Sequence, residues 1–193
     1  MTSRSSRSAT LPLSTACAVG LLAVGIFLAL HPMVRTFFTE RFLGGSYGDG
    51  GLYVWLTQVF ASDPRSALSF ETNALYPYPR TRAWSDSFLL PSLVSYLLTQ
   101  SGVSLAAAYN TVLLLALGAN AGATYLLARK LGLEQVFAVA AGLIFANSSY
   151  LLGNIGHPQL LFFFGFHLRG VSLCQQRRTR ERKHMRGLQL VCA

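Results

Sequence analysis

The stretch that decides the fold runs from residue 88 to residue 128. It reads Phe88–Leu98 (FLLPSLVSYLL), a break at Thr99–Gly102 (TQSG), then Val103–Ala128 (VSLAAAYNTVLLLALGANAGATYLLA). From Ser87 to Ala128 there is no Lys, Arg, Asp or Glu. A bilayer core about 30 Å thick takes roughly 20 apolar residues in helical form, so only the second piece is clearly long enough to cross. Backbone groups find no water in lipid, which makes helices the expected form. The tract is too long and too uniformly apolar to read as the alternating strands of an outer-membrane barrel.

Two further tracts, Ser8–Val34 and Gln135–Leu168, are equally free of charge. Hydrophobic residues make up 52% of the 193-residue chain and charged residues 12%; a soluble domain usually carries about twice that charge. The first tract follows Arg4 and Arg7. It is longer than a typical signal core and shows no small-x-small cleavage site before His31, so it reads as a retained signal anchor.

Charge then counts the spans. If Phe88–Gln100 crosses, Arg129, Lys130 and the basic tail Arg177–Arg186 fall outside; if it lies on the outer surface, they fall on the cytoplasmic side with Arg4 and Arg7. The positive-inside rule favours the second arrangement. The predicted fold class is an all-α integral membrane protein with about four transmembrane helices, at 11–32, 103–128, 135–153 and 158–175. Residues 1–10 form a cytoplasmic N-terminus, and 33–102 an external loop with interfacial helices. Residues 176–193 form a basic cytoplasmic segment in which Gly187–Ala193 reads as the start of a fifth span. The chain thus reads as a fragment of a multi-pass protein of the inner (plasma) membrane. Arg169 interrupts the fourth tract, where it either snorkels to the inner face or pairs with a partner. A frameshift near His167 would give the same arginine-rich tail.

The formal net charge of +9 does not point to nucleic acid, because no basic domain with interleaved aromatics accompanies it. Most of it lies in Arg177, Arg178, Arg180, Arg182, Lys183 and Arg186, beside an apolar tract, where anionic lipid headgroups are the expected partner. Cys17, Cys174 and Cys192 have no metal-type spacing and suggest no disulfide framework.

Chemistry is expected in the external loop. Gly44-Gly-Ser-Tyr-Gly48 leads into Asp49-Gly-Gly51 and the aromatic-rich helix Leu52–Phe60, which is expected at the headgroup level. Asp49 falls at or just before its start. It reads either as an N-cap or as a carboxylate held at the membrane face to accept a proton or bind a metal. Tyr76-Pro-Tyr-Pro-Arg80 is stiff and extended, since residues before Pro avoid the helical region. Arg80, Arg82 and Asp86 follow closely. They read as solvated charge or as a phosphate site built on arginine forks. His157, in Asn154-Ile-Gly-His157-Pro-Gln159, faces the same side in this topology; it is either a structural residue or part of the site.

The order of these features resembles the N-terminal third of bacterial multi-spanning proteins of the glycosyltransferase-C superfamily. The resemblance rests on Gly48-Asp49-Gly50 before a Tyr/Trp-rich helix, Tyr76–Pro79, Asp86 before an apolar helix, and Ala108-Tyr-Asn-Thr111 opening a span. It continues through Leu126-Leu-Ala-Arg-Lys130, Ala140-Ala-Gly-Leu-Ile-Phe145 and Gly156-His-Pro-Gln159, and covers about residues 15 to 165. The resemblance implies transfer of a sugar from a polyprenyl-phosphate donor at the external face, with inversion at C1. It makes Asp49 the base, with Asp86 a second acidic candidate. Arg80, Arg82 or His157 are our assignment for steadying the departing phosphate. Some members use a divalent metal; nothing in this sequence requires one. The chain departs from the family after about His167, where His167 and Arg169 stand in place of an uninterrupted apolar helix. The competing readings are a transporter or flippase component and a non-enzymatic membrane protein in which Asp49 is only a cap.

Overall fold

The computed structural model describes residues 14–29, 41–44, 49–65, 69–72, 77–81 and 88–191, with the side chains at 15, 29, 178 and 181–191 left aside. Within these residues the protein is all-helical. Helix α1 is Thr15–Ala29, α2 Asp49–Ser62, α3 Leu89–Gln100, α4 Leu105–Leu131, α5 Gln135–Ala146, α6 Ser149–Gly153 and α7 Phe164–Val191; a 3-10 turn covers Pro158–Leu161.

Two segments are long and apolar enough to cross a membrane, Leu105–Leu131 and Gln135–Gly153. The four spans expected from sequence are not all of this kind. The first tract is the shorter helix α1. The fourth is split: a 3-10 turn occupies its start, and α7 runs unbroken from Phe164 through the basic residues to Val191. Helix α3, 12 residues long, is about 18 Å from end to end, too short for a crossing. It does not lie free on a surface: Ser101–Ser104 turn the chain back, and α3 packs on both α2 and α4.

Local chemistry sets the helix ends. Ser104 caps α4 by accepting the Ala107 N–H at 3.3 Å. At the other end Gly132 adopts φ 102°, a left-handed position that favours glycine, and Leu133 N–H closes on Ala128 C=O at 3.1 Å, the glycine-terminated helix end expected of such a stop. Arg129 and Lys130 lie in that last turn, where cations offset the helix dipole. The span Gln135–Gly153 is interrupted at Asn147, whose Nδ2 bonds back to Leu143 C=O at 2.9 Å, and it restarts under the Ser148 cap.

Helix α4 is the hub, packed by α1, α3, α5, α7 and the 3-10 turn. Its buried face is built largely from small residues and two asparagines, including Ala106, Ala116, Asn110 and Asn120, while Leu115 and Leu126 point outward. Helix α5 repeats the pattern: Ala138, Gly142 and Ala146 face in, and Phe137 and Ile144 are 62% and 74% exposed. On α3, Ser92 and Ser95 are buried while Leu90, Leu93 and Leu97 are exposed. Small residues at the helix contacts, beside buried Tyr109, Leu113 and Leu117, with many large apolar side chains turned outward, is an arrangement that suits helices packed in lipid, where close backbone approach supplies much of the attraction. The two long apolar helices and this distribution point to membrane association.

Contacts fix the relative directions. Phe164 shares a groove with Ala119, and a Cβ at Gly170 would lie 3.2 Å from Leu127 Cδ1. Helix α7 therefore runs along α4 in the same direction, and its arginine-rich half continues past the end that carries Arg129 and Lys130. The backbone of 41–43 is bound instead at Asn110, near the other end of α4.

The tightest approach of one helix to another's backbone is at Gly142, where a Cβ would lie 2.6 Å from Ala121 C=O; at Gly118 nothing lies within 4 Å. Gly142→Ala must push α5 off α4 and is expected to cost about 1–3 kcal/mol. Gly118→Ala is expected to be neutral or to stabilise by up to about 1 kcal/mol. Thermal unfolding in detergent micelles, comparing the two variants, checks this contrast.

Candidate functional site

Asp49 is the first residue of α2, where a carboxylate is favoured by the unpaired N–H groups and the helix dipole. Its carboxylate does not cap its own helix among the described hydrogen bonds. Asp49 Oδ2 instead lies 3.0 Å from His157 Nδ1, with the Asp side chain 59% and the His side chain 44% exposed. The two residues are far apart in sequence, and separate elements bring them together. Helix α2 is held on its neighbours by buried Tyr53, Leu56 and Phe60; the Tyr53 ring stacks obliquely on Phe88 at 4.8 Å, and Phe60 meets Tyr96 at 5.8 Å. His157 stands at the head of the 3-10 turn. Its N–H bonds to Asn154 C=O at 2.8 Å, its C=O accepts Leu160 N–H at 2.9 Å, and Pro158 beside it is buried.

The pair has a defined polarity. A carboxylate only accepts, so Nδ1 carries the proton toward Asp49 whether the ring is neutral or cationic. Nε2 is then a proton acceptor on the neutral ring and a donor on the imidazolium. An exposed pair of this kind contributes about 0–1 kcal/mol to stability, so its geometry is imposed by the surrounding backbone. Among the described residues no cluster of three or more His, Cys, Asp or Glu could hold a metal ion.

The other expected site residues stand differently. Arg80 is exposed and has φ 54°. Its backbone N–H bonds to Glu71 Oε2 at 3.2 Å, and next to it Thr81 Oγ1 meets Thr72 Oγ1 at 2.6 Å. These bonds pinch 71–72 against 80–81, and no described contact joins Arg80 to Asp49 or His157. Arg82 and Asp86, with Tyr76 and Gly48, lie outside the described residues.

Two residues that sequence reading passed over organise this end of the molecule. Asn110, fully buried, donates from Nδ2 to Arg41 C=O at 2.9 Å and accepts Leu43 N–H on Oδ1 at 2.8 Å. Asn120, also fully buried, donates to Leu161 C=O at 2.6 Å. An amide within an apolar helix was the available signal, because polar side chains at membrane depth need a partner. Beside the 3-10 turn an apolar groove of about 170 Å³ opens between α3 and α4, lined by residues including Leu90, Val94, Leu115, Phe162 and Phe164. A larger cavity of about 540 Å³ borders Gln176, Thr179 and Arg180 on α7, away from the pair.

The chain finds no match among protein-family models, curated proteins or solved structures. Its functional reading therefore rests on this geometry and on the sequence.

Because the pair is exposed, Asp49→Asn is expected to shift folding stability by no more than about 1 kcal/mol. Thermal unfolding of the variant beside the parent protein measures this, and a larger loss would make Asp49 a structural residue.

Proposed function

We propose that this chain belongs to a membrane glycosyltransferase that moves a sugar from a polyprenyl-phosphate donor to an acceptor at the external membrane face. The observation that carries the reading is the Asp49–His157 pair at 3.0 Å, solvent-accessible and carried by α2 and the 3-10 turn beside the long apolar helices. Transfer at a sugar C1 needs a group to take the acceptor proton and a group to meet the negative charge on the leaving phosphate. Asp49 Oδ1 takes the proton from the acceptor hydroxyl as the oxygen–C1 bond forms. The C1–O bond to phosphate breaks, and its electron pair stays on the phosphate oxygen. His157, as imidazolium, donates from Nε2–H to that oxygen while Nδ1–H stays on Asp49. A carboxylate is a weak base toward a hydroxyl, so positioning supplies much of the rate. The groove at Phe162 and Phe164 is of a chemistry that accepts part of a lipid chain. Arg80, Arg82 and Asp86 remain candidate phosphate and acid groups of the same loop.

The hydrogen bond also favours a second assignment. A carboxylate bonded to Nδ1 orients an imidazole to act as base through Nε2, which makes Asp49 the orienting group and His157 the base. Two substitutions separate the assignments in membranes carrying the protein and supplied with a labelled polyprenyl-phosphate hexose. If Asp49 is the base, Asp49→Asn lowers release of polyprenyl phosphate by about 10²–10⁴-fold and His157→Gln costs less. If His157 is the base, the order reverses. Unchanged release in both variants defeats the transferase reading and leaves the transporter or structural alternatives.

In the same reading the protein is a multi-pass protein of the inner membrane with a cytoplasmic N-terminus. Arg129, Lys130 and the arginines of α7 then meet anionic headgroups of the inner leaflet. Single cysteines in a cysteine-free background, probed on intact cells with a membrane-impermeant thiol reagent, are expected to react at 49 and 157 and to stay protected at 130 until permeabilisation. Labelling at 130 from outside would reverse the orientation.

A further inference from the structure

Asp49 and His157 are held by different parts of the chain, and their own contact is too exposed to draw those parts together. The register must come from elsewhere, and contacts made by Asn110 reach the chain before Asp49 and, through it, the residue before His157. Asn110 uses both ends of its amide on the segment that precedes Asp49: Nδ2 donates to Arg41 C=O at 2.9 Å, and Oδ1 accepts Leu43 N–H at 2.8 Å. The two bonds span 69 and 67 positions of sequence and come from a fully buried side chain. The edge-on contact of Phe42 with Tyr109 at 5.7 Å fixes the same segment on the same helix. The next residue, Gly44, has φ +82°, and a Cβ there would lie 2.7 Å from both Gly156 Cα and Ile155 C=O. The segment clamped by Asn110 is therefore in backbone contact with the residue directly before His157.

We propose that Asn110 is a positioning residue that sets the register of Asp49 against His157 through Arg41–Leu43 and the Gly44–Gly156 backbone contact, touching neither functional side chain itself. The inference rests on reading Asp49 and His157 as the functional pair. An amide suits the task because one planar group supplies a donor and an acceptor in fixed relation, so a slip of the segment by one residue breaks both bonds at once. Gly44 is required where it stands on two counts: its left-handed φ, and a gap to Gly156 that leaves no room for a side chain.

The test reads geometry rather than activity. In the chain carrying Cys17→Ala, Cys174→Ala and Cys192→Ala, the pair Asp49→Cys with His157→Cys is bridged with a short bis-methanethiosulfonate. The pair Gly25→Cys with Leu143→Cys, where a Cβ at 25 would lie 3.3 Å from Leu143 Cγ, serves as a control remote from the clamp. Asn110→Leu is expected to slow bridging of 49 to 157 at least tenfold while 25 to 143 stays within twofold. Bridging of 49 to 157 within twofold of the parent, with the control also unchanged, overturns the proposal. If Asn110→Leu slows both pairs, the protein has lost its fold and Gly44→Ala decides: selective slowing of 49 to 157 supports the positioning, and an unchanged rate overturns it. Failure of the functional reading is separable. Full sugar transfer in both Asp49→Asn and His157→Gln, with selective slowing in Asn110→Leu, would sink that reading and leave the positioning standing.

Discussion

Backbone that leaves a helix inside an apolar protein must still find hydrogen-bond partners, and in this molecule that demand falls on α4. Two buried asparagines ten positions apart on α4, Asn110 and Asn120, answer carbonyl and amide groups of segments that are not helical. At about 100° per residue they point to different sides of the helix. One holds the chain at Arg41–Leu43 and the other holds Leu161 at the end of the 3-10 turn. Buried backbone outside a helix needs hydrogen-bond partners, so these amides are what permit the irregular segments to approach the core. A leucine would leave two backbone groups without their partner at 110 and one at 120, at about 1–3 kcal/mol for each that is buried.

The candidate site follows from this arrangement. Rigid helices rarely bring chemical groups together by themselves; loops positioned by a scaffold do so. Here α2 presents Asp49 from its first residue, the strap before Pro158 presents His157, and side-chain amides of α4 add fixed hydrogen bonds to the apolar packing of the neighbouring segments. The pair can therefore stay half-exposed, as a site open to substrate must, without loosening.

Much of this was legible in the sequence, and the illegible part has one cause. The uncharged tracts mark the apolar helices, and the Gly-Asp-Gly signal places the start of α2 at Asp49. Asp49 and His157, read separately from their local sequence, lie in contact at 3.0 Å. What sequence did not disclose depends on partners far along the chain. Ala108-Tyr-Asn-Thr111 reads as the opening of a span, and nothing local says that Asn110 reaches back 67 positions to Leu43. The α3–α4 hairpin escaped for a similar reason: the break at Thr99–Gly102 marks a turn without saying which way α3 leans. The continuity of α7 was masked by charge. A basic run after an apolar tract reads as a flank, yet Gln, Arg, Glu, Lys, Met and Leu are all good helix formers, and nothing between Phe164 and Val191 stops the helix.

Charge segregation and site placement also share a physical origin. Because α7 runs along α4 in the same direction, its arginines extend the end already marked by Arg129 and Lys130, while Asn110 gathers the Asp49 and His157 segments near the opposite end. A single helix thus separates two environments along its length: a cationic end suited to anionic headgroups, and an end where a carboxylate and an imidazole meet solvent. Desolvating the cationic end would be costly, so of the two ends it is the one least suited to apolar surroundings. The parallel course of α7 on α4 is thus what sets the arginines at one end of α4 and the backbone held by Asn110 at the other.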